Sequence, residues 1–292
     1  MRLMAKWQDS WDLIAPSNNR GRRYQLRIGG ELVDVVRMGQ GDPLVLVPGL
    51  AGSWKLVMPI ARRLAKDFEV ISYSLRGDRF PKVRPDRPQQ GNLDLGSHAY
   101  DLANLIEQLG LEAPTVFGVS FGGAIALETA VEHPSRIGNL ILNGTESRFR
   151  STLGASIARR VLERYPLPPD SPFVNQFFNL LYGRKPDPSP IVDFVVDRLW
   201  ETDQKIMAQR LAQLESFDVS DRLWRVDVPT LVMAGSKDVI VPPNRQRELA
   251  REISGAGFET IEGAGHIGFL THAGEMSRMI RRHVSTAKAA SV

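Results

Sequence analysis

Ser120 stands in the run Gly118-Val119-Ser120-Phe121-Gly122-Gly123, with a glycine two residues to either side. A serine hydroxyl is a weak nucleophile until a neighbouring base takes its proton. The spacing alone would not single this serine out, but its setting does. The apolar run Thr115–Val119 before it reads as a strand, and the pattern Phe121–Glu132 after it reads as a helix. So tight a turn strains the backbone at the serine, tolerates only glycine at the flanking positions, and lifts Oγ above the sheet. It also puts the Phe121 amide at a helix N-terminus, where N–H groups and the dipole favour a developing oxyanion.

Such a nucleophile needs a histidine oriented by a carboxylate. Asp238 follows the predicted strand Thr230–Ala234, and His266, in Gly265-His266-Ile267-Gly268, follows the predicted strand Phe258–Ile261. Both should reach the rim of the sheet that carries Ser120. Glu146, just past the apolar run Ile137–Leu142, is a rival acid. His98, His133, His272 and His283 lie in or beside helical patterns and are expected at the surface or at helix ends. The chemistry expected is acyl transfer to water, with His266 as base, Asp238 as its orienting partner, and no metal or organic cofactor.

The elements that must position these groups alternate along the chain. Tyr24–Ile28 and Glu31–Met38 read as a strand pair turned at Gly29-Gly30, and Pro43–Val47 as a strand buried on both faces. Helices are expected around Met58–Lys66, His98–Leu109, Pro243–Ile253 and His272–Val284, with a further strand at Phe68–Tyr73. This alternation predicts an α/β fold with a mostly parallel, doubly wound sheet. Residues 145–222 break the rhythm with seven prolines and the helical stretches Phe173–Tyr182 and Ile191–Trp200. They are expected to form a helical cap over the carboxyl ends of the strands, where such sheets bind ligands. The organisation expected is an N-terminal arm at 1–23, a core at 24–144 and 223–292, and the cap at 145–222.

Composition removes other classes. With no cysteine among 292 residues there is no disulfide, thiol nucleophile or thiolate metal site. No His-x-x-x-His pair suggests a zinc site. The formal charge of +4 falls entirely within the first 30 residues, so the folded body carries no basic stripe for nucleic acid. Leu3, Trp7, Trp11 and Ile14 mark one face of a short helix expected to dock on the body. Asp9 and Asp12 interrupt any secretory core, and no apolar run is long enough to span a membrane, so a cytoplasmic location is expected. The basic, proline-rich stretch 79–92 reads as a solvated loop. The partner expected is a small-molecule ester substrate, and a homo-oligomer is compatible with the sequence.

With these motifs in place, the chain resembles the α/β-hydrolase superfamily, in its small cap-bearing branch, over roughly residues 24–285. Val47-Pro48-Gly49-Leu50 matches the oxyanion segment, with Pro48 in place of the usual histidine, and the match implies that the Leu50 amide is the second oxyanion donor. Ser74-Leu75-Arg76-Gly77 resembles the family's Asp-x-Arg-Gly stretch, with serine for aspartate, and Gly265-His266 matches its Gly-His pair. Serine at the nucleophile position argues against the dehalogenating and epoxide-opening relatives, which use aspartate. Ile267 stands where carbon–carbon bond hydrolases often have tryptophan, and Phe121 where proline iminopeptidases tend to have it. The resemblance therefore implies a carboxylesterase for apolar or aromatic esters. A lactonase, a carbon–carbon bond hydrolase and a hydrolase-like small-molecule receptor remain the alternatives.

Overall fold

Among the described residues the strands are β1 (Arg22–Ile28), β2 (Glu31–Met38), β3 (Asp42–Val47), β4 (Phe68–Tyr73), β5 (Thr115–Val119), β6 (Asn139–Asn143), β7 (Thr230–Gly235) and β8 (Gly257–Ile261). They form one sheet in the order β1-β2-β4-β3-β5-β6-β7-β8. The computed structural model describes residues 21–77, 93–149, 153–165, 167–168, 172–183, 190–199 and 201–290. The arm up to residue 20 and the stretch 79–92 lie outside the described residues.

β1, β2 and β4 pair antiparallel, and every other pairing is parallel. Five neighbouring parallel strands from β4 to β7 through β3 explain the continuous apolar runs, because both faces of these strands are covered. Alternation along β3 shows the division: Leu44 and Leu46 join one core, Val45 and Val47 the other. The first core packs against α1 (Met58–Leu64) and α10 (Ala273–Ala290). The second packs against α2 (Leu95–Gln108), α3 (Phe121–Glu132) and α8 (Pro243–Glu252). Among the described residues no helix is long and apolar enough to cross a membrane.

Between β6 and β7 the described residues include the α-helices α4 (Leu153–Arg164), α5 (Pro172–Tyr182), α6 (Pro190–Leu199) and α7 (Gln204–Glu215). An antiparallel bridge between Arg148 and Asp218 closes the stem of this stretch. Leu181, Tyr182, Val195 and Leu199 from these helices join the core that holds α1 and α10. A further short helix, α9 (Gly268–Thr271), follows β8.

Helix α2 begins three residues earlier than its apolar spacing predicts. Asp94 caps it by accepting the Ser97 amide at 2.7 Å. His98 stands four residues before Leu102 and seven before Leu105, on the buried face of the helix, so the histidine expected at the surface is 2% exposed and meets the Phe121 ring edge-on at 5.5 Å.

Candidate active site

The turn between β5 and α3 carries Ser120 with φ 54° and ψ −121°, a conformation that side-chain-bearing residues avoid and that costs on the order of 1–3 kcal/mol. The packing shows why this strained turn is kept so tight. A Cβ on Gly122 would lie 2.4 Å from the carbonyl oxygens of both Val47 and Pro48, and one on Gly118 would lie 2.4 Å from the Gly122 carbonyl. The first turn of α3 is thus pressed onto the end of β3. The Ser120 N–H is fixed by the Asn143 carbonyl at 2.7 Å.

His266 reaches Ser120 from the loop after β8, with Nε2 2.9 Å from Oγ. On its other side, Nδ1 lies 3.0 Å from Asp238 Oδ2. An ionised carboxylate can only accept, so Nδ1 carries the proton and Nε2 is left to accept from the serine hydroxyl. Asp238 is 3% exposed, yet every side of its carboxylate is engaged. Oδ1 accepts the Ile240 and Val241 amides, each at 3.0 Å, and Oδ2 accepts Gln246 Nε2 at 3.2 Å as well as the imidazole.

The rival acid faces a different partner. Both Glu146 oxygens lie 3.3 Å from Arg245 Nη1, while the imidazole is turned to Asp238. Of the two predicted oxyanion donors, the Phe121 amide opens α3 beside Ser120, and Leu50 follows Gly49, whose Cβ position is 3.5 Å from Ser120 Cβ. Among the described residues neither amide N–H meets an acceptor, so both are available to a developing negative oxygen.

Gln246 was not legible as part of this constellation. It is wholly buried, and besides Asp238 it donates to the Val241 carbonyl at 2.7 Å and accepts the Gly144 amide at 2.8 Å. One side chain thereby ties the residue after β6 and the loop after β7 to the acid. Its only mark in the sequence is a polar residue at i−3 from the buried Leu249 of α8.

A cavity of about 200 Å³ opens onto Ser120 and His266. Its wall is mostly apolar, built from Leu50 and Phe269 of the core and from Phe177, Leu199, Met207 and Leu214 of the inserted helices. Polar groups on it are Glu146 with Arg245 and Glu215, which pairs with Arg159. The loop of His266 is braced by the same helices: the Ile267 N–H donates to the Leu181 carbonyl at 3.3 Å. Beneath Phe121, burial and the nearby Arg210 and Arg76 charges push His98 down to about 3, so it is neutral.

Known proteins resemble this chain in sequence and in fold. A family model described as alpha/beta hydrolase fold matches residues 42–273. The chain is 27% identical to a pimeloyl-[acyl-carrier protein] methyl ester esterase of Neisseria meningitidis, covering 82% of this chain and 91% of that protein. It is 26% identical to a 2-hydroxymuconate semialdehyde hydrolase of Pseudomonas sp., covering 95% and 99% of the two chains. Among solved structures, an esterase from Exiguobacterium antarcticum superposes with a TM-score of 0.78 at 23% identity, over 90% of this chain and 100% of that one.

Proposed function

This chain belongs to the α/β-hydrolase family, and from that premise we propose that it is a serine esterase acting on small carboxylic esters with an apolar or aromatic acyl part. The observation that carries the reading is the continuous relay from Ser120 Oγ through His266 to Asp238, at 2.9 and 3.0 Å, opening into a small apolar cavity. As Oγ attacks the ester carbonyl, Nε2 of His266 takes its proton, and Asp238 stabilises the imidazolium that forms. The amides of Leu50 and Phe121 receive the oxyanion. The imidazolium then protonates the departing alkoxide, and water, activated by the same ring, releases the acid from the acyl-enzyme. Helices α4–α7 serve as a cap, and α5, α6 and α7 supply close to half of the apolar wall. A cavity near 200 Å³ is smaller than the ~300–1,000 Å³ of sites for drug-sized ligands, which supports a small acyl group.

A series of p-nitrophenyl esters from acetate to decanoate tests the reading, together with labelling by a fluorophosphonate probe. Turnover should be fastest on the short esters, and the probe should mark Ser120. Ser120→Ala should lose about 10⁶-fold in kcat and all labelling. Near-parental turnover in that variant would end the assignment. The second reading, carbon–carbon bond hydrolysis, draws support from the full-length match to the semialdehyde hydrolase. It is favoured instead if a vinylogous 1,5-diketone acid is cleaved and the esters are not.

A further inference from the structure

Arg210 sits in α7 on a core-facing position and is 1% exposed. Burying a guanidinium is costly unless its N–H groups find acceptors. Here Nη1 donates to the Leu50 carbonyl at 2.8 Å and Nη2 to the Arg76 carbonyl at 3.0 Å. The guanidinium lies so close over Gly52 that a Cβ there would come within 2.2 Å of Nη1. Gly52 in turn closes a tight turn by donating its N–H to the Gly49 carbonyl at 2.8 Å.

That last bond matters because the Gly49 carbonyl and the Leu50 N–H belong to one planar, trans peptide unit and point in opposite directions. Whatever holds the Gly49 carbonyl therefore aims the Leu50 N–H. Arg210 restrains this small turn at two points, since it packs on Gly52 and grips the carbonyl of Leu50 itself. The turn preceding α7 adds to the grip: Thr202 donates to the Ala51 carbonyl, and Glu201 pairs with Lys55 at 3.1 Å.

We infer that Arg210 is a positioning residue for the oxyanion site, reaching down from the inserted helices to fix the direction of the Leu50 amide beside Ser120. The inference rests on the acyl-transfer reading of Ser120 and Leu50. It extends that reading by making the inserted segment part of the machinery that stabilises the tetrahedral intermediate, beyond its role as a wall.

The test compares the parent with Arg210→Met, Arg210→Lys and Thr202→Val. Active sites are titrated to completion with a fluorophosphonate. For each chain, kcat per titrated site and KM are measured on p-nitrophenyl acetate, and Ki for phenylboronic acid, whose tetrahedral serine adduct places an oxygen in the oxyanion site. Arg210→Met should lower kcat per site by ~10- to 100-fold, because a donor misplaced by an ångström costs about 10²-fold. KM should stay within ~3-fold, the boronic acid should weaken by the same factor as kcat, and Arg210→Lys should recover part of the loss. A side chain that merely supports folding would reduce the number of titrated sites and leave kcat per site unchanged, and that result overturns the inference. So does a loss confined to KM. If Arg210→Met does not fold, Thr202→Val decides: a smaller loss in kcat per site, with weaker boronic acid binding, supports the inference, and parental values overturn it. A parent chain that neither labels at Ser120 nor cleaves the ester removes the nucleophile reading itself, an outcome distinct from a labelled, active parent indifferent to Arg210.

Discussion

At the level of single side chains, the question is which carboxylate steers His266. Asp238 has all four of its acceptor directions used: two by backbone amides, one by Gln246 and one by the imidazole. An asparagine at 238 cannot meet all four donors. It must present its NH₂ either to the Ile240 and Val241 amides or to Nδ1, and the second choice forces the proton onto Nε2, where it blocks acceptance from Ser120. Asp238→Asn should therefore lower kcat on a short p-nitrophenyl ester by about 10⁴-fold. Glu146 is buried and turned to Arg245, not to the imidazole, so Glu146→Gln should lower kcat by no more than about tenfold, the scale of one charged hydrogen bond. Equal losses in the two variants, read from steady-state kinetics at matched active-site concentration, would mean that the acid has been misassigned.

At the level of elements, the strand-turn-helix at Ser120 is where backbone packing is least forgiving. The Val47 and Pro48 carbonyls that would meet a Cβ on Gly122 belong to the end of β3 and cannot swing aside as a flexible side chain could. Gly122→Ala should shift the urea midpoint by the equivalent of about 2–3 kcal/mol and lower kcat per titrated site, since the Phe121 amide moves with the first turn of α3. An unfolding curve matching the parent's would show that β3 and α3 are not wedged together. This packing is also why so much of the site is legible in the sequence: glycines at 118 and 122, an apolar strand before and a helical pattern after leave few other folds for the segment. The parallel strands are legible for the same reason, as short apolar runs buried on both faces. The place of β4 between β2 and β3 is not, because strand order is a long-range property that local patterning does not encode. Helix α7 escapes notice for a physical cause. Its buried face is Met207, Ala208, Arg210 and Leu214, and a cation in the middle of that face breaks the apolar period. The carbonyls of Leu50 and Arg76, distant in sequence, help to make the position habitable for a guanidinium.

At the level of the whole molecule, Arg210 belongs to a buried polar layer that joins the inserted helices to the sheet. Arg76 pairs with Asp101 of α2 at 2.5 Å, and His98 lies on the same helix under Phe121. Burial pushes Asp101 up to about 6, against the pull of Arg76, and pushes His98 down to about 3, aided by Arg210 and Arg76 and opposed by Asp94. The two groups link folding to pH with opposite sign. For His98, the unfolded chain takes up a proton near its ordinary value of 6.5 while the folded chain waits until about 3, so stability falls as pH drops across that interval. For Asp101, the folded chain holds its proton up to about 6 and the unfolded chain only to about 3.8, so acidification favours the fold over that interval. The histidine interval is the wider one, and the pair should therefore lose stability on going from pH 7 to pH 4. His98→Gln removes the destabilising proton uptake and should flatten the fall in Tm over that range. Asp101→Asn removes the opposing contribution and should steepen it. Exposed carboxylates titrate in the parent and in both variants alike, so they drop out of the comparison. Three superimposable Tm profiles would mean that water reaches this layer and that neither group is held in the protonation state its burial demands.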